Sequence, residues 1–129
     1  MSGASRPPDD LQGLRVLVVE DTMLVADVIV EQLQDCGCEV VGPAARVNRA
    51  LELARREKLD GALLDVNLAG EYCFPIAQVL ASRGIPFAFL TGYGDSAIPP
   101  EYRDVQRLQK PFELKDLVRI VGTTFAGGR

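Results

Sequence analysis

Short β-branched apolar runs, recurring between segments of helical period, constrain this chain more than any other feature. The first run is Leu-Arg-Val-Leu-Val-Val at 14–19, nearly continuous in apolar residues, as a strand buried on both faces requires. Ala26, Ile29, Val30 and Leu33 follow at i, i+3, i+4, i+7 and put one apolar stripe on a helix that ends near Gly37. Residues 39–42 make a short second strand, and Val47, Ala50, Leu51 and Ala54 carry the next stripe. A third strand at 61–66 precedes the stripe Cys73, Ile76, Ala77 and Leu80, which Gly84 closes. Residues 85–90, entered through Pro86, give a fourth strand and 105–109 a shorter fifth, before a last stripe at Leu114, Leu117, Val118 and Val121. Between Thr91 and Val105, two glycines and a Pro pair allow only a short or mobile fourth helix.

Five strands in strict alternation with helices predict a doubly wound α/β domain: a mostly parallel sheet, right-handed crossovers and helices on both faces. The 129 residues suffice for one such domain. The domain is placed at 13–122, with 1–12, rich in Pro and Asp, as a disordered leader and 123–129 as a small polar tail.

The net charge of −4, with no basic run longer than Arg55-Arg56, argues against a nucleic-acid partner. No apolar stretch reads as a signal peptide or a membrane span, so a cytoplasmic protein without membrane contact is expected. Cys36, Cys38 and Cys73, in a chain without histidine, do not match a zinc site and read as small buried hydrophobes in a reducing cytosol.

In doubly wound sheets, ligands bind beyond the carboxyl ends of the strands. The first strand ends in Glu20-Asp21, the third in Asp65, the fourth in Thr91 and the fifth in Lys110-Pro111. Carboxylates gathered on that edge repel one another and draw in a cation; oxygen donors without His or Cys point to Mg²⁺. A carboxylate beside Mg²⁺, a Lys and a Thr is arranged to attack phosphorus, with Asp65 as the nucleophile. Lys110 then offsets charge on the phosphoryl oxygens, and Thr91 donates to one of them.

Val-Val-Glu-Asp at 18–21, Leu-Leu-Asp-Val-Asn at 63–67, Leu-Thr-Gly at 90–92 and Lys-Pro-Phe at 110–112 together resemble the response-regulator receiver family. The resemblance implies a flavodoxin-like sheet of order 2-1-3-4-5, with Asp65 as phosphoacceptor for a sensor histidine kinase. It further implies that Asp21 and Asp65 bind the metal, with Glu20 assisting and the Asn67 backbone carbonyl as a further ligand. Thr91 is then the switch hydroxyl, Lys110 binds the phosphoryl group, and the Lys110-Pro111 bond is cis. The chain departs from the family at Arg107, where a switch aromatic usually stands three residues before the Lys; Tyr93 is the sequence's candidate replacement. With Phe-Leu-Thr-Gly-Tyr at 89–93, it is similar to the alphaproteobacterial single-domain subgroup named for a Phe-Ala-Thr-Gly motif.

These expectations describe a phosphorylation switch, monomeric or weakly dimeric, rather than a turnover enzyme. A phosphoryl sink or relay, or a receiver segment of a longer protein, remains an alternative. A flavodoxin-like FMN carrier is disfavoured by the acidic Glu-Asp-Thr-Met turn after the first strand. An Mg²⁺-dependent hydrolase would want an acid/base Asp where Asn67 stands.

Overall fold

A computed structural model of the chain describes residues 11–92 and 98–126. In chain order the elements are β1 (Arg15–Val19), α1 (Met23–Asp35), β2 (Glu39–Ala44), α2 (Val47–Arg56), β3 (Gly61–Asp65), β4 (Asn67–Leu68) and β5 (Glu71–Tyr72). There follow α3 (Phe74–Ser82), β6 (Phe87–Thr91), a single 3-10 turn (Pro100–Tyr102), β7 (Arg107–Gln109) and α4 (Leu114–Phe125). Five strands form one sheet in the order β2-β1-β3-β6-β7, every pair parallel. Numbered within that sheet, this is the expected 2-1-3-4-5.

The period-2 geometry of a strand explains why the runs are nearly continuous in apolar residues. Leu17, Val19, Ala62, Leu64 and Phe89 enter the core shared with α2 and α3, while Val16, Val18, Leu63, Ala88 and Leu90 enter the core beneath α1 and α4. Both faces are dry, so both sets of alternating side chains must be apolar. Each fully buried Leu or Ile in these layers contributes about 1.5–3 kcal/mol.

Gly37 and Gly84 end their helices as the sequence indicates. Both have positive φ (94° and 71°). The N–H of Cys38 donates to Leu33 O and that of Gly37 to Gln34 O, and Ile85 and Gly84 do the same to Leu80 and Ala81. Each set closes the last turn in the double bond of a Schellman cap.

Both predicted domain boundaries shift outward. Leu11, assigned to the leader, is buried and its N–H donates to Cys36 O. The last helix runs to Phe125 rather than stopping at 122. Its reason is tertiary: the Phe125 ring lies directly over Gly61, where an added Cβ would fall 2.2 Å from Cγ. β2 continues to Ala44 through a cis Gly42-Pro43 bond, beside a register shift between Leu17 and Val19. Cys38 and Cys73 are buried as expected, but Cys36 is only half-buried. Burial pushes the Cys38 thiol up to about 12, so it stays a neutral packing group. Of the segment expected to hold a short fourth helix, residues 98–106 contain only the 3-10 turn. Tyr93 lies outside the described residues.

Candidate phosphoacceptor and cation site

The parallel register brings the sequence-predicted residues to one edge. Val19 pairs with Leu64, Asp65 with Leu90, and Thr91 with Gln109, so Glu20, Asp65, Thr91 and Lys110 emerge at nearly one level. Backbone bonds secure this edge: Glu20 N–H donates to Ala44 O, Val66 N–H to Leu90 O, and Lys110 N–H to Thr91 O. The Lys110-Pro111 bond is cis, as the resemblance implied.

Lys110 Nζ lies 2.7 Å from Glu20 Oε1 and 2.9 Å from Asp65 Oδ2, bridging two carboxylates that are 2% and 4% exposed. Glu20 also accepts the Thr22 N–H, which aligns the first turn of α1 in place of a side-chain cap. Carboxylate oxygens of Glu20, Asp21 and Asp65 all lie within 4.8 Å of one another. Three carboxylates against one ammonium leave the cluster net negative. Burial, together with the facing Glu20 carboxyl, therefore pushes Asp65 up to about 7 against the opposing pull of Lys110. Burial alone would lower Lys110, but the Glu20 and Asp65 carboxylates more than offset it and hold the ammonium above its ordinary range. Such a cluster lowers its energy by taking up a hard cation, and all its donors are oxygen.

Asn67 reaches the site through its backbone: its N–H points at Asp65 Oδ1 over a long 3.4 Å. Asn67 stands opposite Tyr72 in the β4–β5 hairpin. Cys73 N–H donates to Val66 O, which marks the neighbouring 66–73 pair as hydrogen-bonded and the Asn67–Tyr72 pair as the alternate, non-bonded one. The Asn67 carbonyl is thus not used by the hairpin. Thr91 is buried and tied to the site through the carbonyl that accepts Lys110 N–H. Arg107 is exposed and lies in β7 opposite Phe89; its guanidinium donates to Tyr102 O and Arg103 O.

Sequence reading missed the hairpin. Its turn is Ala69-Gly70, both at positive φ (52° and 91°), a pair suited to a two-residue hairpin. Asp21 Oδ2 accepts the Ala69 N–H at 2.9 Å, and Asn67 Oδ1 accepts that of Gly70. The only local signal was Asn67 three residues before a glycine; Ala is seldom read as a turn residue. Also missed was an open apolar groove beside the site, lined by Leu24, Val25, Val28, Pro111, Phe112 and Leu114 together with Lys110. Leu24 in its lining is 79% exposed, although it lies on a helix whose inner stripe was read correctly.

A doubly wound sheet with this acidic edge and its bridging lysine defines the chain's class, and sequence comparison agrees. The model of the response regulator receiver domain matches residues 16–122, and the chain belongs to that family. It is similar to the transcriptional regulatory protein PdtaR of Mycobacterium tuberculosis, 32% identical over 122 residues, covering 92% of this chain and 60% of PdtaR. The chain spans roughly half the length of the curated relatives it matches. Among solved structures, SdrG from Sphingomonas melonis Fr1 superposes with a TM-score of 0.77 at 36% identity, covering 85% of this chain and 94% of that one. The receiver domain of the sensor histidine kinase PA1611 from Pseudomonas aeruginosa shares the fold, with a TM-score of 0.74 at 24% identity over 88% of this chain and 98% of that one. A magnesium ion is coordinated in its active-site cleft.

Proposed function

We propose that the protein is a phosphorylation-operated signalling switch that accepts a phosphoryl group on Asp65 from a sensor histidine kinase. The observation that carries this reading is the 2.9 Å contact between Lys110 Nζ and Asp65 Oδ2 inside a cluster of three carboxylates. A buried carboxylate held against a lysine and beside a cation position has the charge environment for attack on phosphorus. One Asp65 oxygen forms the new O–P bond as the bond from phosphorus to the donor's imidazole nitrogen breaks, and the imidazole leaves with the electron pair. Lys110 is placed to exchange its Asp65 contact for the incoming phosphoryl oxygens. The Thr91 hydroxyl supplies a further donor.

The oxygen-only donor set fits Mg²⁺. Asp21, Asp65 and the Asn67 carbonyl would hold it, with Glu20 acting through water. When bound, the ion offsets charge on the transferring group. The apolar groove beside Lys110 offers a docking surface for the phosphodonor next to the acceptor. Neither a DNA-binding nor a membrane-binding role is part of this reading. The likeness to SdrG over 94% of that chain supports a single-domain regulator, with a phosphoryl sink or relay as a variant of the same chemistry. The greater length of the curated relatives favours a second reading, a receiver segment within a longer protein. An antibody to the domain that detects a native product near 14.0 kDa selects the first; a larger product selects the second.

The direct test is intact-mass spectrometry after incubation with acetyl phosphate and Mg²⁺, beside Asp65→Asn and a chelated sample. One phosphoryl adduct, dependent on metal and absent from the variant, is expected. An adduct that persists in Asp65→Asn would place the acceptor elsewhere.

A further inference from the structure

Five aromatic rings lie between the Asp65 loop and the 3-10 turn. Tyr72 stacks on Phe74 (centroids 5.5 Å apart, planes at 24°), and Phe74 stacks on Tyr102 (6.0 Å, 20°). Phe89 meets both Phe74 and Tyr102 edge-on, at 89° and 77°, and Phe87 meets Phe89 and Tyr102. We infer that the stack Tyr72–Phe74–Tyr102 carries the state of the Asp65 site to the turn at 100–102, with Tyr102 as the residue that reads it out. The inference rests on the reading of Asp65 as phosphoacceptor.

The two ends of the stack differ in how they are held. Tyr72 stands opposite Asn67 in a two-residue strand pair, too short to be rigid alone. That hairpin is positioned by the site's own carboxylates: Asn67 N–H points at Asp65 Oδ1, and Asp21 Oδ2 accepts Ala69 N–H. A phosphoryl group on Asp65, or a cation on Asp21, takes over oxygens that those bonds use. The hairpin must then resettle and Tyr72 with it.

Phe89, by contrast, is fully buried in a strand laddered on both sides, so its ring is a fixed wall along which stacked rings slide. At the far end, Pro99 and Pro100 stiffen the turn, Tyr102 N–H donates to Pro99 O, and the Arg107 guanidinium donates to the carbonyls of Tyr102 and Arg103. A displaced Tyr102 ring therefore moves the turn as one body. Close-packed rings transmit displacement because a ring that shifts must be followed by the ring packed on its face or leave a void.

Tyr72, Tyr93 and Tyr102 are the chain's three tyrosines. The full chain labelled with 3-fluorotyrosine gives fluorine resonances assignable by single Tyr→Phe changes. After acetyl phosphate and Mg²⁺, with the adduct measured by mass on the same sample, both Tyr72 and Tyr102 resonances are expected to shift. In Phe74→Leu the adduct and the Tyr72 shift should remain while the Tyr102 shift is lost. In Phe87→Leu, which removes an edge contact to Tyr102 but leaves the stacked Phe74 in place, all three should remain. A Tyr102 resonance that stays still in adduct-bearing wild type, or moves equally in Phe74→Leu, overturns the relay and leaves the phosphoacceptor reading intact. Absence of any adduct overturns both.

Discussion

Asp65 shows how one buried group sets the pH behaviour of the site. Its carboxyl titrates near 7 in the fold against 3.8 in a free chain, so the native state holds this proton more tightly than the unfolded state does. The resulting stability is fully present below about pH 4 and is lost as pH rises through about 7, amounting to about 2–4 kcal/mol in the metal-free protein. Asp65→Asn should therefore be more stable than wild type in chelator at about pH 8, the gap closing as pH falls to about 4. Urea unfolding of both proteins across that range checks this; a gap independent of pH would exclude ionised Asp65 as its source. Lys110 is the compensating charge for two buried carboxylates. Replacing it as Lys110→Met, which keeps the stem's packing, should cost about 1–3 kcal/mol at neutral pH and less in acid, where the orphaned carboxyls take up a proton. Denaturation midpoints at the two pH values measure the difference.

At the scale of elements, the contact of α4 with β3 depends on the absence of one carbon. A Cβ on Gly61 would sit 2.2–2.5 Å from three Phe125 ring atoms. Gly61→Ala is expected to cost about 1–3 kcal/mol by overpacking. Phe125→Ala, which leaves a cavity, is expected to cost about 3–5 kcal/mol. Because the two share one contact, the double variant should lose less than the sum, and additive losses in a double-mutant cycle would show that the ring does not rest on Gly61. The β4–β5 hairpin is set in another way: its Ala-Gly turn is anchored by Asp21, 48 residues earlier in the chain. An element this short has no stripe or alternation long enough to be legible in sequence.

For the molecule as a whole, the charge left uncompensated at the sheet edge links cation binding to folding. Mg²⁺ that binds only the native state at a hundred times its dissociation constant adds about 2.7 kcal/mol. For a domain of this size that is a rise of roughly 10 °C in Tm. Thermal unfolding with and without chelator should show the rise in wild type and a much smaller one in Asp21→Asn. An equal rise in both would move the cation away from the acidic cluster.

The amino-acid order by itself determined the sheet, the four helices of the described residues and the edge where chemistry gathers. Continuous apolar runs, helical stripes and glycine stops are local patterns, and a parallel βα alternation leaves few topologies open. Glu20, Asp21, Asp65, Thr91 and Lys110 stood out as candidates because each stands at or just past the carboxyl end of a predicted strand, whereas Asn67 became a candidate only through the family resemblance. What required tertiary structure was everything fixed by contacts between distant residues. Leu11 belongs to the domain because Cys36 accepts its N–H, and α4 passes Gly122 because Phe125 finds Gly61. Lys110 bridges Glu20 and Asp65 because the register levels three strand ends. The aromatic stack joins positions 72, 74 and 102, for which no spacing in sequence prescribes a meeting. Local pattern fixes which face of an element is buried; only close packing decides what meets it there.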